Sequence, residues 1–347
     1  MSRLHTAAAD ATIERMRVLV TGSAGFIGYH LTTTLIDEGH SVLGIDPLTD
    51  YYDVSLKRAR LSRLETRNGY SHRAIRLESA TEVNQAFAEF QPEAVVHLAA
   101  QAGVRYALEE PRTYVDSNIV GTFNVLEGAR TSQPLHLLMA STSSVYGSNS
   151  EFPYSETQRT DHPMSFYAAT KKATEDMAHS YSHLHEIPTT MFRFFTVYGS
   201  WGRPDMAIFK FTQAALNGTP IQLHDGGSMR RDFTHVSDLV SAVMQLISAA
   251  PEAGQPVGGH DSLSPVAPFR TVNIGGGAPI SVIRFIEAIE KATGREIARV
   301  NVPAVPGEVP VTDADPALLR TLTGYTPRVL VDDGVQEFVD WYRSYYA

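Results

Sequence analysis

Short apolar segments alternate with longer amphipathic stretches along roughly the first two hundred residues. The apolar segments lie at 17–20, 41–45, 94–99, 135–140 and 189–195. Stretches with a helical pattern lie between them, near 82–90, 113–131 and 167–185. Such alternation predicts parallel strands joined by right-handed helical crossovers. The sequence therefore predicts a doubly wound parallel α/β sheet, a Rossmann-type fold.

The alternation fades after about residue 199, where Pro and Gly become frequent, and this change predicts a smaller lobe over the carboxyl edge of the sheet. Residues 271–275 read as a strand that returns to the main sheet, so we expect the second lobe to be discontinuous. The stretch 254–268 is rich in Gly and Pro and predicts a surface loop. The expected division is a loose leader at 1–15, a main domain at 16–198 with a returning segment near 232–280, and a second lobe within 199–347.

Composition narrows the functional classes. The chain has 347 residues, 43% of them hydrophobic and 19% charged, which is typical of an ordered globular protein. Its formal charge of -9 argues against a general nucleic-acid binder. It has no cysteine, which excludes disulfides and thiol catalysis, and its histidines form no cysteine-paired pattern, so we expect no metal. The leader contains no apolar signal segment, and we expect a cytoplasmic protein.

A glycine turn follows the first strand. Gly22, Gly25 and Gly28 are spaced Gly-x-x-Gly-x-x-Gly between the strand at 17–20 and a helical pattern. Such a turn lets a pyrophosphate approach backbone N–H groups at the positive end of a helix. The second strand ends at Asp46, whose carboxylate can accept hydrogen bonds from adenosine ribose hydroxyls and would repel a 2′-phosphate. These features predict a site for NAD rather than NADP.

Tyr167 and Lys171 are four residues apart in a predicted helix and therefore share one face. A nearby ammonium is expected to lower the pKa of the phenol from about 10 toward neutrality and make it a general base. Thr142, about twenty-five residues earlier, can supply a hydroxyl that holds the substrate oxygen. A surface Tyr-x-x-x-Lys pair is the alternative interpretation for the two helix residues alone.

With these parts, the chain resembles the extended short-chain dehydrogenase/reductases, and among them the UDP-glucuronate 4-epimerases. The resemblance covers most of the chain and is carried further by segments 50–60, 97–106, 193–199, 201–206 and 230–234. It implies a tightly bound NAD that is regenerated in each turnover and a UDP-sugar substrate. The implied reaction oxidises C4 of UDP-glucuronate, rotates the 4-keto sugar and reduces it on the opposite face to give UDP-galacturonate.

The resemblance also implies roles for individual residues. Tyr167 takes the proton of the sugar 4-hydroxyl, Lys171 binds the nicotinamide ribose, and Thr142 hydrogen-bonds the 4-oxygen. The residues expected around the cofactor are Gly22, Gly25, Phe26, Ile27, Gly28, Asp46, Leu98, Ala99, Asn118, Tyr167, Lys171 and Phe195. Those expected to bind substrate are Arg105 and Arg231 at the diphosphate, Glu308 at the uridine ribose, and Thr142, Ser143, Ser144, Thr196 and Arg203 at the sugar carboxylate.

The residues after Thr142 bear on related reactions. Dehydrating relatives carry Asp-Glu at the positions of Ser143 and Ser144, and decarboxylating relatives usually carry Glu at the position of Ser144. The alternatives that stay open are an epimerase of neutral UDP-hexoses, a UDP-glucuronate decarboxylase, and a non-catalytic NAD-binding module. For Arg203, the alternative to a carboxylate clamp is a surface ion pair.

Relatives of this kind usually form homodimers through two helices per subunit, which here are those near 113–131 and 167–185.

Two departures from the family pattern concern the adenosine end of the cofactor. Pro47 follows Asp46 where relatives commonly carry Asn, and Glu78-Ser79 stands where they tend to have Asp and an apolar residue.

Overall fold

A computed structural model of the protein describes residues 15–303 and 309–346. The strands are β1 Arg17–Thr21, β2 Ser41–Ile45, β3 Tyr70–Arg73, β4 Ala94–His97, β5 His136–Thr142, β6 Thr189–Phe194, β7 Thr196–Tyr198, β8 Ile221–His224, β9 Arg230–Arg231, β10 Phe233–His235, β11 Phe269–Ile274, β12 Ile280–Ser281 and β13 Arg299–Val302. The helices are α1 Phe26–Asp37, α2 Val54–Glu65, α3 Ala80–Phe90, α4 Tyr106–Glu109, α5 Pro111–Tyr114, α6 Gly121–Ser132, α7 Phe166–His185, α8 Ala207–Asn217, α9 Val236–Ile247, α10 Val282–Thr293, α11 Ala317–Thr323 and α12 Val331–Tyr346. Most of the expected leader, residues 1–14, lies outside the described residues.

A seven-stranded parallel sheet in the order β11-β6-β5-β4-β1-β2-β3 forms the centre of the molecule. Successive residues of β1 pack on opposite faces of the sheet, because side chains alternate along a strand. Val18 and Val20 join a core with α1 and α9, whereas Leu19 joins a core with α3, α6 and α7. With helices on both faces, the inner strands β1 and β4 are almost continuously apolar and buried. The predicted doubly wound α/β fold is confirmed.

The expected helix near 113–131 is interrupted. It begins as α5, passes through a π-helical segment at Val115–Val120 and continues as α6. Asn118 lies within that segment and is buried, with its amide bonded to the backbone of Gln101 and to Thr170 Oγ1. Wider π-helical turns are frequent at functional sites, and this one places Asn118 against the loop that follows β4.

A separate hydrophobic core joins α8, α10 and α12 and is centred on Phe209, Phe285 and Phe338. The strand expected at 271–275 is present as β11 and pairs with β6 in the main sheet. The stretch 254–268 forms no helix or strand, and a buried ion pair between Asp261 and Arg270 ties it to β11. The division of the chain into two lobes at residue 198 stays a prediction. Within the described ranges, none of the helices has the length and apolar character needed to cross a bilayer.

Candidate active site

A cavity of about 470 Å³ opens at the carboxyl ends of the central strands. Open α/β sheets bind their ligands at this edge, where the loops after neighbouring strands come together. The following residues named from the sequence line it: Gly22, Gly25, Phe26, Ile27, Gly28, Asp46, Leu98, Ala99, Thr142, Ser143, Ser144, Tyr167, Lys171, Phe195, Thr196 and Arg203.

The glycine turn closes tightly between β1 and α1. Gly22 has φ +73°, a conformation that favours glycine, and a Cβ on Gly28 would lie 2.0 Å from the Gly22 carbonyl oxygen. Helix α1 starts after Gly25, which has no side chain with which to cap the first N–H groups. The positive end of α1 is therefore left for an external acceptor, and this cradle fits a pyrophosphate.

Asp46 follows β2 at the same cavity and is almost fully buried. Its Oδ1 accepts a hydrogen bond from the Leu48 N–H at 2.8 Å, and its Oδ2 accepts one from the Ala24 N–H at 3.2 Å. Each oxygen keeps a lone pair for another donor, since a carboxylate oxygen accepts more than one bond. The carboxylate is thus fixed beside the glycine turn, in an arrangement that suits a ribose diol. Pro47 and Glu78 also line the cavity.

Helix α7 presents Tyr167 in its first turn and Lys171 one turn later. The helix begins at this point because the Ser165 side chain accepts a hydrogen bond from the Ala168 N–H at 3.1 Å. Thr142 is the last residue of β5, and its hydroxyl lies near enough to the Tyr167 phenol to oppose the rise of the phenol's pKa. The Ser144 N–H donates to Thr142 Oγ1 at 3.2 Å and fixes the threonine rotamer. The structure therefore brings the three predicted catalytic residues together.

The electrostatics of this trio differ from the sequence expectation. Burial raises the pKa of the Tyr167 phenol above its usual value, against the opposing effects of the Thr142 hydrogen bond and the Arg203 charge. Burial also lowers the pKa of Lys171 to about 8, although the Glu175 carboxylate opposes this shift. The sequence predicted that Lys171 lowers the pKa of Tyr167, and this prediction is wrong for the protein alone. The cost of burying the charged phenolate outweighs the effects that favour it, so the pKa is raised.

A buried ion pair lies beneath the trio. Glu175, one turn beyond Lys171 on α7, pairs with Arg193 of β6 at 2.9 Å and accepts a hydrogen bond from Ser141 Oγ at 2.6 Å. Ser141 directly precedes Thr142, so the same carboxylate ties β5, β6 and α7 together. This network fixes the relative positions of the strand and the helix that carry the catalytic groups.

Arg203 lines the cavity and forms a two-pronged ion pair with Asp205. Its Nε donates to Asp205 Oδ1 at 3.0 Å, and its Nη2 donates to Oδ2 at 2.7 Å. The structure thus combines the two interpretations of Arg203: it is ion-paired, and it also faces the cavity.

Of the residues named from the sequence that the structure describes, three are not part of the cavity lining, namely Asn118, Arg105 and Arg231. Asn118 lies behind Gln101, whose backbone it binds. Arg105 is exposed just before α4, and Arg231 lies in β9, with its guanidinium bonded to the Pro310 carbonyl oxygen at 3.2 Å. Glu308 lies outside the described residues.

Sequence reasoning missed other residues at the site, among them Tyr51, Lys57, Gln101 and Arg60. Tyr51, Lys57 and Gln101 line the cavity. Arg60 is fully buried behind the glycine turn, and its guanidinium donates to the carbonyl oxygens of Ala24 and Trp201 at 3.0 and 2.6 Å. The sequence signal that could have found them is the family-like segment 50–60, which contains Tyr51, Lys57 and Arg60.

Histidine spacing gives no metal site in the described part of the chain. His179 and His183 lie four residues apart on α7, but they bind Ser264 Oγ and the Val266 carbonyl oxygen of the 254–268 loop. Among residues 15–303 and 309–346, no group of three or more His, Cys, Asp or Glu side chains could hold a metal ion.

Sequence comparison identifies a family. The sequence model of the NAD dependent epimerase/dehydratase family matches residues 18–260. Among curated proteins, a probable UDP-glucuronate 4-epimerase of Rhizobium meliloti (strain 1021) is 51% identical over 334 residues, which are 95% of this chain and 98% of the relative.

Two solved structures are also similar over most of the chain. The UDP-glucuronic acid 4-epimerase of Bacillus cereus, solved with UDP-glucuronic acid and NAD, superposes with a TM-score of 0.85 at 31% identity and covers 95% of this chain and 100% of its own. The UDP-glucose 4-epimerase of Thermotoga maritima, solved with UDP-glucose, has a TM-score of 0.82 at 27% identity and covers 96% and 100%.

Proposed function

The chain belongs to the NAD dependent epimerase/dehydratase family, and from this premise we propose that it is a UDP-glucuronate 4-epimerase, which interconverts UDP-glucuronate and UDP-galacturonate. One observation carries the proposal. Thr142, Tyr167 and Lys171 share a cavity with the glycine turn that forms a pyrophosphate cradle and with Arg203. A base for an alcohol proton, a nucleotide site and a carboxylate-binding group thus surround the same space.

The glycine turn and Asp46 together form a site that fits NAD. The first N–H groups of α1 would hold its diphosphate, Asp46 the adenosine ribose, and Lys171 the nicotinamide ribose. When bound, NAD would supply a reversible hydride acceptor for sugar C4, so a complete turnover would have no net redox change.

Tyr167 moves the proton of the sugar 4-hydroxyl. Its phenolic oxygen accepts the proton as the C4 hydride departs and gives the proton back after the sugar has turned. Thr142 holds the same sugar oxygen by a hydrogen bond, and the positive charge of Lys171 favours the phenolate. Because burial raises the pKa of Tyr167, cations in the assembled site are needed to bring the phenol into the range of a general base.

The remaining polar groups restrain the sugar carboxylate. A 4-keto glucuronate is a β-keto acid. It loses carbon dioxide when the bond between C5 and the carboxylate carbon overlaps the π system of the C4 ketone. Thr142, Ser143, Ser144, Thr196 and Arg203 all line the cavity and would bind the carboxylate. Arginine provides a planar fork of donors, which suits a carboxylate and prevents its free rotation.

The outer parts of the substrate site are proposed on the family pattern. Arg105 and Arg231 would bind the diphosphate and Glu308 the uridine ribose, with the lobe from residue 199 onward closing over them. A cytoplasmic location likewise stays a prediction.

We also propose a homodimer through the outer faces of α6 and α7. Its support is apolar surface on these helices and at their start: Val120 is 38% exposed, Phe123 44%, Phe166 41% and Leu184 67%. Apolar side chains exposed on two neighbouring helices are typical of surfaces that another protein covers.

Product identification tests the proposal. Purified protein is incubated with UDP-glucuronate and, separately, with UDP-glucose, and proton NMR follows the sugar signals. Formation of UDP-galacturonate is the expected result. Turnover of UDP-glucose alone would instead support the runner-up, a neutral-sugar epimerase like the Thermotoga maritima relative. UDP-pentose as the main product would support a decarboxylase.

A further inference from the structure

Arg203 is engaged on one edge by Asp205. The pair uses Nε and Nη2, with Asp205 receiving both hydrogen bonds side-on at 3.0 and 2.7 Å. A guanidinium has five N–H donors, so three remain, two of them on Nη1. Apart from a weak contact of Nη2 with the Met206 sulfur at 3.8 Å, these three have no hydrogen-bond partner within residues 15–303 and 309–346. The terminal edge of the guanidinium is therefore available to a ligand.

Asp205 is itself held from the opposite side. The Tyr51 hydroxyl donates to Asp205 Oδ2 at 3.3 Å, and the Tyr51 ring contacts the Tyr106 ring with centroids 4.8 Å apart. Backbone also approaches closely, because a Cβ added to Gly103 would lie 2.8 Å from the Tyr51 hydroxyl oxygen. Tyr51 is thus held in place by the loop that follows β4, and its hydrogen bond in turn holds the Asp205 carboxylate in place.

The position of Asp205 relative to the cavity matters. Arg203 and Tyr51 line the cavity, whereas Asp205 does not belong to its lining. The side chains of Arg203 and Asp205 are only 23% and 29% exposed, so removing one partner would leave a partly buried charge without its counterion. The Asp205 carboxylate therefore binds the side of the Arg203 guanidinium that faces away from the cavity, and it does not itself face the ligand.

We propose that Asp205, anchored by Tyr51, is a positioning residue that holds the Arg203 guanidinium so that its terminal edge restrains the carboxylate of an acidic sugar. This inference rests on the proposed function, in which Arg203 binds the sugar carboxylate. Asp205 leaves the pair formally neutral, so Arg203 acts through directed hydrogen bonds more than through net charge.

Loss of this restraint has a chemical consequence. When the carboxylate of the 4-keto intermediate rotates, the C5–C6 bond can break, and its electron pair moves into the C4 carbonyl as an enolate. C6 leaves as carbon dioxide, and a proton is taken up at C5 to give a UDP-4-keto-pentose. The ratio of decarboxylated to epimerised product therefore reports how firmly the carboxylate is held, and a change in overall stability alone does not alter this ratio.

The test compares Asp205→Ala, Asp205→Asn and Tyr51→Phe with the wild type on UDP-glucuronate. Proton NMR gives the product ratio, and NAD content and thermal unfolding report on folding. Asp332→Asn is the matched control, because Asp332 forms an ion pair with Arg284 at 2.6 Å and neither residue lines the cavity. We expect the ratio to rise about tenfold in the Asp205 variants, about two- to threefold in Tyr51→Phe, and not at all in the control.

The outcomes separate the two levels of the proposal. An unchanged ratio in folded, NAD-containing Asp205→Asn and Tyr51→Phe would overturn the positioning role, even if Asp205→Ala failed to fold. Tighter binding of UDP-glucuronate by Asp205→Asn without a change in ratio would also overturn it, since Asp205 would then compete with the substrate. A wild type that forms no UDP-galacturonate would refute the proposed function itself.

Discussion

Thr142 and Tyr167 come from different elements, the end of β5 and the start of α7, yet both side chains line the same cavity, and the Thr142 hydroxyl opposes the rise of the Tyr167 pKa. The ion pair of Glu175 and Arg193 joins α7 to β6, the strand beside β5. Two hydroxyls that line one cavity in this way can hold one substrate oxygen between them. The pair therefore marks the position at which the sugar 4-oxygen is expected to bind.

Tyr167→Phe tests the base directly. Phe keeps the ring contact with Tyr114, whose centroid is 6.1 Å away, but it cannot accept a proton. We expect turnover of UDP-glucuronate to fall by about 100- to 10,000-fold with little change in NAD content. Steady-state kinetics and the absorbance of the bound cofactor measure the two quantities. Wild-type turnover in this variant would exclude Tyr167 as the base.

Gly28→Ala tests the glycine turn. A Cβ at Gly28 would collide with the Gly22 carbonyl oxygen at 2.0 Å, so the turn or the start of α1 must shift. The expected results are loss of bound NAD and a decrease of about 2–4 kcal/mol in the free energy of unfolding. Gly259→Ala is the control, because a Cβ at Gly259 meets nothing within 4 Å. Equal effects in the two variants would contradict the account of the turn.

Glu156→Gln tests a buried carboxyl group near the catalytic layer. Burial raises the pKa of Glu156 from 4.5 to about 7, and its Oε1 accepts a hydrogen bond from the Asn273 N–H at 2.8 Å. Between pH 4.5 and about pH 7 the folded state keeps a proton that the unfolded chain has lost. The free energy of unfolding of the wild type therefore falls as the pH rises through this range.

The variant lacks this titration. We therefore expect the free energy of unfolding of Glu156→Gln, relative to wild type, to increase by about 2–3 kcal/mol from pH 4.5 to pH 7 and to level off above that. Denaturant unfolding across this range provides the measurement, with the exposed Glu252→Gln as control. A pH-independent difference would show that Glu156 does not titrate there.

Arg203→Ala tests the carboxylate clamp. Because the guanidinium would bind only the sugar carboxylate, we expect the affinity for UDP-glucuronate to fall about 10- to 100-fold while the affinity for UDP stays the same. Calorimetric titration of both ligands gives the comparison, and Arg284→Ala removes a similar ion pair outside the cavity. Equal losses for the two ligands would contradict the clamp.

The parts of the fold and site that sequence predicted depend on short-range spacing. Strand β1, the glycine turn and α1 follow one another within about twenty residues, and Asp46 directly follows β2. Tyr167 and Lys171 needed only helical periodicity to be placed on one face. Such relations are set by local backbone geometry, so residue order alone reveals them.

The rest depends on contacts between distant segments. Arg60 donates to the Trp201 carbonyl oxygen 141 residues away, and its neighbours Lys57 and Arg58 give no sign of which cation is buried. Asn118 lies in the π-helical segment and binds the backbone of Gln101, a contact that its sequence position does not indicate, and its place beside the cofactor stays a prediction. The raised pKa of Tyr167 likewise reflects burial, which the spacing to Lys171 cannot reveal.

The central claim is that one hydride leaves and returns to C4 of an acidic UDP-sugar within a single site. The most direct test uses UDP-glucuronate carrying deuterium at C4, with the products followed by NMR and mass spectrometry. The account predicts UDP-galacturonate that retains the deuterium at C4 and all six sugar carbons. Loss of the deuterium to solvent, or a labelled UDP-pentose as the main product, would contradict it.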